Sequence, residues 1–177
     1  MHIFIIGDVG VGKSTLIRRI LEQVQGPIHG FRTLKINEAG SLDGKVYIHP
    51  AQGPDEYRDD NTVGLVGEMG MQARPGAFEA QGIPLLRDIP PGAVVLMDEL
   101  GYLESSASGF CDAVLQVLSG PYHVLAAVKP RKTLFLEQIR AYPDALKYTI
   151  TPENRNQLFE QVQSDLARLA PASPFLA

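Results

Sequence analysis

A lysine and a serine close a glycine-rich stretch near the start of the chain. Residues 7–14 read Gly-Asp-Val-Gly-Val-Gly-Lys-Ser, which fits the pattern Gly-x4-Gly-Lys-[Ser/Thr]. Glycines let a backbone wrap closely around a phosphate, and N–H groups at the start of a helix donate hydrogen bonds to it. We expect Lys13 to contact the β- and γ-phosphates of a nucleotide, and the Ser14 hydroxyl to bind Mg²⁺. The residues predicted to surround the phosphates are Gly7, Asp8, Val9, Gly10, Val11, Gly12, Lys13, Ser14 and Thr15.

Two adjacent carboxylates end an apolar run in the middle of the chain. Residues 94–99 read Val-Val-Leu-Met-Asp-Glu, which resembles a Walker B element. Because ligands gather at the carboxyl ends of strands in open α/β sheets, we expect Asp98 to lie beside the glycine-rich loop and to be a second Mg²⁺ partner. Glu99 is predicted to orient and deprotonate the attacking water, which makes Glu99 and Lys13 the candidate catalytic residues. Neighbouring strand side chains face opposite ways, so both acids reach one ligand only if the strand turns at its end.

The elements that must position these residues alternate along the second half of the chain. The predicted strands are 93–97, 122–128 and 146–150, and the predicted helices are 105–118, 133–141 and a last one that opens at Thr151-Pro152-Glu153. Ser105 or Ser106 is expected to cap the first of these helices. This alternation predicts an α/β fold with a mostly parallel sheet flanked by helices.

The first half of the chain departs from simple alternation. Residues 31–36 and 45–49 are predicted to form a β-hairpin. Residues 50–76 are rich in turn formers and glycine, and two alternatives stay open for them: a mobile loop beside the nucleotide, or an ordered edge of the sheet.

Length and charge limit the classes of protein to consider. The 177 residues are enough for one domain, predicted at 1–170, with a frayed tail at 171–177. The net charge of −4 gives no evidence for nucleic-acid binding. No apolar run approaches the length of a membrane span, and the first strand follows Met1 too closely to leave a signal peptide, so we expect a cytoplasmic protein without membrane contact.

Regulatory GTPases are one competing class. Residues 98–101 fit their Asp-x-x-Gly switch, but these proteins also select guanine with an [Asn/Thr]-Lys-x-Asp element. No Lys-x-Asp occurs in this chain, which disfavours a dedicated GTP switch.

Two alternatives stay open. One is a nucleotide-dependent regulatory switch, in which hydrolysis only resets a binding surface. The other is a small-molecule or nucleotide kinase. Such kinases share the phosphate loop but usually close an Arg-rich lid over the transferred group. The basic segment 129–132 is too short for such a lid, although one could lie within 50–76, which contain Arg58 and Arg74.

Together these motifs are similar to the small P-loop nucleoside-triphosphatases typified by the cancer-related nucleoside-triphosphatase. The Asp-Glu-Leu-Gly-Tyr-Leu-Glu run at 98–104 is the most specific segment. The other segments that carry the resemblance are 7–15, 30–33, 78–86 and 153–156. The resemblance implies a RecA-like sheet and Mg²⁺-dependent hydrolysis of ATP, GTP and other nucleoside triphosphates to diphosphates.

One segment departs from the pattern of these proteins. Relatives often place Thr-x-Glu-x-Arg after Gly-Phe, whereas here Thr33 is followed by Leu34, Lys35, Ile36 and Asn37. The departure reverses charge on a hairpin that could face the substrate, and it leaves the preferred nucleobase open.

Four further residues are weaker site candidates. Lys129 and Arg131 follow a predicted strand and could stabilise charge on the γ-phosphate, the alternative being solvated residues in a loop. Asn154 and Arg155 match the family segment, although the start of a helix also explains Asn154. Since no arginine is assigned to the transition state, we expect a modest intrinsic rate, with a partner protein or second subunit as one source of an arginine.

Overall fold

Eight strands in the described part of the chain form a single sheet. The computed structural model describes residues 1–37, 39, 41 and 43–169, so the predicted tail at 171–177 lies outside the described residues. In chain order the strands are β1 (His2–Ile6), β2 (Ile28–Asn37), β3 (Gly44–Pro50), β4 (Thr62–Gly67), β5 (Gly70–Ala73), β6 (Val94–Leu100), β7 (His123–Val128) and β8 (Ala145–Thr149). Their order across the sheet is β5-β4-β3-β2-β6-β7-β1-β8.

The sheet has a parallel part and an antiparallel part. Among the described strands, the four neighbouring pairs from β8 to β2 are parallel, and the three from β2 to β5 are antiparallel. The predicted hairpin is confirmed, since β2 pairs antiparallel with β3 from Phe31 opposite Pro50 to Asn37 opposite Gly44. Strands β4 and β5 extend this antiparallel part, so the second alternative for 50–76, an edge of the sheet, is correct for residues 62–73.

Helices cover both faces of the parallel part. They are α1 (Lys13–Leu21), α3 (Ser108–Ser119), α4 (Leu134–Ala141) and α5 (Arg155–Leu169), whereas the three-residue α2 (Pro75–Ala77) lies against β4 of the antiparallel part. Alternation along β1 directs Ile3 and Ile5 into a core with α1 and α5, and Phe4 into a second core with α3 and α4. Burial on both faces explains the continuous apolar runs, and the predicted α/β fold class is confirmed. None of the helices in the described ranges combines the length and hydropathy needed to cross a bilayer.

Helix α3 begins later than the sequence predicted. Residues 104–106 form a separate 3-10 turn, and Ala107 is the N-cap of α3 without a side-chain cap. The prediction that Ser105 or Ser106 caps this helix was therefore wrong. The Ser106 hydroxyl instead donates to Leu103 O at 3.2 Å, and that of Ser105 to Thr133 Oγ1 at 3.0 Å.

Candidate active site

The loop between β1 and α1 has the backbone conformation of a phosphate-binding loop. Gly10 and Gly12 have φ values of 79° and 109°, which residues with a Cβ rarely adopt. A Cβ on Gly7 would come within 2.7 Å of the Ile150 carbonyl oxygen, so only glycine fits there. The Gly12 carbonyl accepts the first hydrogen bond of α1 from Leu16 N–H, at 3.0 Å. The loop thus closes directly onto a helix N-terminus, an arrangement that favours anions.

Lys13 lies under this loop and is only 4% exposed. Its Nζ donates to Gly7 O at 2.9 Å and to Asp8 O at 2.7 Å. The third neighbour is Glu99, whose Oε2 is 2.9 Å from the same nitrogen. Because an ammonium group has three donors, these partners account for all of them. A phosphate that binds Lys13 must therefore replace one.

Ser14 and Asp98 meet although 84 positions separate them in the sequence. The Ser14 hydroxyl donates to Asp98 Oδ1 at 3.2 Å. Burial raises the pKa of Asp98 to about 6, against the opposing effects of the Ser14 hydrogen bond and the Lys13 charge. Mg²⁺ prefers oxygen ligands, and this pair offers a hydroxyl and a carboxylate whose charged form is poorly solvated. The pair therefore fits Mg²⁺.

Glu99 lies between two lysines. Besides Lys13, it contacts Lys129, with 2.7 Å between Oε1 and Nζ. The carboxylate can reach this space because the strand is irregular: β6 and β7 pair at Met97 with Ala126 and next at Leu100 with Val128. Three steps along β6 thus match two along β7, and such a bulge redirects side chains. The strand-end turn that the sequence analysis required is present.

Lys129 is held in place from both sides. It is 15% exposed as a side chain, its N–H donates to Leu100 O at 2.9 Å, and its carbonyl accepts from Arg140 Nη1 at 3.0 Å. The structure therefore places Lys129 at the cavity wall, rather than in a solvated loop.

Glu104 is a buried acid close to Lys129 and Glu99. It is 3% exposed, and its Oε2 accepts a 2.9 Å hydrogen bond from Gly101 N–H. Burial raises the pKa of Glu104 to about 7, although the Gly101 N–H and the Lys129 charge act in the opposite direction. The acid thus fixes the turn that follows β6.

The lysines, the acids and Ser14 described above line one cavity of about 610 Å³. The predicted residues on its wall are Val9, Gly10, Gly12, Lys13, Ser14, Thr15, Asp98, Glu99 and Lys129. The remaining wall residues, none of them among the predicted site residues, are Thr33, Lys35, Val46, Met71, Gly101, Leu103 and Glu104. Alternation along the hairpin identifies Thr33 and Lys35 as residues of one face, but it does not say what that face meets.

The other candidates lie outside this cavity. Arg131 is exposed and lines a depression of about 150 Å³ beside Asp8 and Val9. Arg155 lines a cavity of about 230 Å³ that also includes Gly12 and Thr15, on the α5 side of the loop.

Asn154 has a local structural role. Its side chain accepts from Thr151 N–H and donates to Thr149 O, each at 2.8 Å. Because residues before it form this turn, α5 begins at Arg155 and not at the predicted Thr151-Pro152.

The two arginines considered for a lid are held by nearby acids. Arg58 forms ion pairs with Glu56 and Asp60, and Arg74 forms one with Asp59. Neither arginine lines the cavity of the phosphate loop.

A family model and curated relatives that match this chain are all named as nucleoside-triphosphatases. A family model described as NTPase matches residues 2–163. The chain is 29% identical to a mouse protein named cancer-related nucleoside-triphosphatase homolog, over 91% of this chain and 94% of that protein. It is also 29% identical to nucleoside-triphosphatase THEP1 of Aquifex aeolicus, over 95% and 100% of the two chains.

Two solved structures have the same fold. The crystal structure of THEP1 from Aquifex aeolicus aligns with a TM-score of 0.73 at 26% identity, over 94% of this chain and 99% of that one. The solution structure of a human cancer-related nucleoside triphosphatase aligns with a TM-score of 0.68 at 28% identity, over 96% and 98%. The predicted resemblance is confirmed.

Proposed function

The chain belongs to the NTPase family, and we propose that it is a Mg²⁺-dependent phosphohydrolase that converts ATP, GTP and other nucleoside triphosphates to the diphosphate and inorganic phosphate. One observation carries the proposal. Glu99 lies 2.9 Å from Lys13 and 2.7 Å from Lys129, in the same cavity where Ser14 meets Asp98. A base, two cations and a metal-binding pair are therefore close together at the end of a phosphate loop.

Each group has a distinct role in the proposed reaction. The loop and Lys13 bind the phosphates, and Ser14 and Asp98 hold Mg²⁺, which when bound neutralises charge on the phosphate oxygens. Glu99 orients the attacking water and accepts its proton. Lys129, held rigidly beside Glu99, stabilises the negative charge that develops on the transferred group.

The proposed rate is modest and the proposed base selectivity is broad. An arginine at the transition state is worth about 10³–10⁵ in turnover, and here a lysine takes that position. The chain has no Lys-x-Asp element that would select guanine. Arg155, which matches the family segment, is an exposed residue in the separate cavity on the α5 side of the loop. We therefore expect several bases to be accepted.

Product analysis tests the proposal. The purified protein is incubated with Mg²⁺ and, separately, ATP, GTP, CTP and UTP, and the products are separated by chromatography. We expect diphosphate and inorganic phosphate in equal amounts from each nucleotide, and no product when Mg²⁺ is chelated. Intact triphosphates after long incubation with Mg²⁺ would contradict a hydrolase.

A further inference from the structure

The side chain of Lys129 lies against the residue that follows β6. This residue, Gly101, is buried and lines the same cavity as Lys129 and Glu99. A Cβ on Gly101 would lie 3.1 Å from Lys129 Cδ and 3.5 Å from Lys129 Nζ. The lysine stem therefore runs across the bare face of the glycine on its way to Glu99, whose Oε1 is 2.7 Å from Nζ.

Gly101 is needed for space and not for its backbone conformation. It is not among the glycines with a positive φ, so alanine can adopt the same backbone geometry. Nonbonded carbon atoms pack best at about 3.5–4.0 Å, and a Cβ on Gly101 would be closer than this to Lys129 Cδ. Because the lysine stem is flexible and the glycine is hydrogen-bonded, an added methyl group would displace Lys129.

Glu104 holds this glycine in place. Its Oε2 accepts the 2.9 Å hydrogen bond from Gly101 N–H. The Glu104 carbonyl oxygen accepts from Ala107 N–H at 2.8 Å and from Cys111 Sγ at 3.2 Å. The backbone of Glu104 is thus tied to α3 and its side chain to Gly101, which fixes where the glycine lies.

We propose that Gly101 and Glu104 are positioning residues that aim the Lys129 ammonium group at Glu99 and at the γ-phosphate. Glu104 fixes the glycine, and the glycine provides the surface across which the lysine stem runs. Neither residue supplies a charge or a proton to the reaction, since both act through Lys129. The inference rests on the proposed function, in which Lys129 stabilises the charge of the transferred group.

A displaced ammonium group affects the transition state more than substrate binding. A donor aimed at developing charge depends steeply on its position, and a misplacement of about 1 Å can lower a rate by about 10²-fold. The methyl group of Gly101→Ala requires a smaller shift of the Lys129 stem. We therefore expect kcat to fall by about tenfold, with little change in KM.

A double-mutant cycle tests the proposal. The kcat and KM of ATP hydrolysis are measured for Gly101→Ala, Lys129→Ala and the double variant. In the Lys129→Ala background, Gly101→Ala should change kcat by less than about twofold, because the lysine through which it acts is gone. An equal loss of kcat in both backgrounds, or no loss in either, would overturn the proposal. Gly76→Ala is the matched control, since a Cβ on this exposed glycine meets nothing within 4 Å.

Two Glu104 variants test the second positioning residue. Glu104→Leu removes the acceptor for Gly101 N–H, so kcat should fall as in Gly101→Ala. Glu104→Gln keeps a side-chain oxygen and should restore most of the kcat that Glu104→Leu loses. Equal kcat values in the two Glu104 variants would refute the role of this hydrogen bond. Urea unfolding identifies the conditions under which each variant is folded for the assay.

A crystal structure of Gly101→Ala gives a measurement that does not depend on activity. We expect Lys129 Nζ to move away from its 2.7 Å contact with Glu99, while β6 and β7 keep their register. An ammonium group that stays in place would overturn the inference whatever the rate. Absence of hydrolysis by the wild-type protein would contradict the proposed function, so the two failures are distinguishable.

Discussion

Glu99 and Lys13 form a direct ion pair within the cavity, with 2.9 Å between Oε2 and Nζ. The other two contacts of Lys13 are to backbone carbonyls of the loop, at Gly7 and Asp8. Glu99 is the partner that can leave by side-chain rotation alone, so an incoming phosphate competes with this carboxylate for Lys13. Displacement leaves Glu99 beside the phosphate, where the proposed mechanism needs its base.

We first predict that Glu99→Gln separates binding from chemistry. The amide keeps the size of the side chain but removes the base, so the chemical step should slow by about 10²–10⁴. Nucleoside-triphosphate binding should be at least as tight as in the wild type, because the competing charge on Lys13 is gone. Single-turnover hydrolysis and a binding titration measure the two effects. A rate near the wild-type value would show that another group positions the water, with Glu104 on the same cavity wall as the next candidate.

Asp98→Asn should weaken Mg²⁺ binding, whereas Glu99→Gln slows the chemical step. The substitution removes the charge that the Ser14 and Asp98 pair offers to a cation, so more Mg²⁺ should be needed for half-maximal hydrolysis. A Mg²⁺ titration of the rate, run beside Glu99→Gln, distinguishes the two acids. Identical Mg²⁺ curves for Asp98→Asn and the wild type would remove Asp98 from the metal site.

Lys13→Ala should abolish nucleotide binding or turnover. The variant loses the buried cation at the N-terminus of α1, where the helix dipole also favours anions. Glu99 keeps Lys129 as a partner at 2.7 Å, which limits the structural damage. Hydrolysis and a nucleotide titration are measured on protein whose thermal unfolding is also followed. Wild-type values in both assays would refute the phosphate-loop assignment.

Lys129→Ala tests the proposed cation at the transition state. We expect kcat to fall by about 10²-fold, the usual cost of losing one donor aimed at developing charge, with a much smaller change in KM. Lys132→Ala is the control, since Lys132 is an exposed lysine three positions further along the same segment. Equal kcat values in the two variants would place Lys129 outside the catalytic machinery.

Glu104→Gln should change how stability depends on pH. Burial raises the pKa of Glu104 from 4.5 to about 7. As pH rises from about 4.5 to about 7, the unfolded chain therefore releases this proton while the folded chain retains it, and the free energy of unfolding falls. The glutamine does not titrate and still offers an oxygen to Gly101 N–H.

The expected difference in the free energy of unfolding is large enough to measure by urea unfolding. Between pH 5 and pH 8 the wild type should lose up to about 3 kcal/mol relative to Glu104→Gln, at about 1.4 kcal/mol for each pH unit within that window. Above pH 7 the two curves should run parallel. A constant difference across this range would show that the carboxyl titrates alike in the folded and unfolded chains.

Local spacing predicted the phosphate loop and the two acids, because their chemistry depends on residues adjacent in sequence. Local spacing does not predict that Val46 and Met71 line the same cavity, because they come together only through the pairing of β3, β4 and β5. The sequence alone does not predict strand β4, because Gly64 and Gly67 interrupt its apolar pattern and glycine is depleted in strands. At α3, two serines resembled helix caps, but the neighbouring Glu104 is buried and bonded to Gly101, which favours a 3-10 turn there.

Strand β2 joins the parallel and the antiparallel parts of the sheet. Its first residues pair parallel with β6, from Ile28 opposite Val94 to Arg32 opposite Asp98, whereas its last residues pair only with β3. Substitutions at Lys35 or Val46 therefore leave the registers of β1, β7 and β6 intact. The side chains that the antiparallel part contributes to the cavity can therefore be exchanged without moving the strands that carry the phosphate loop and the two acids.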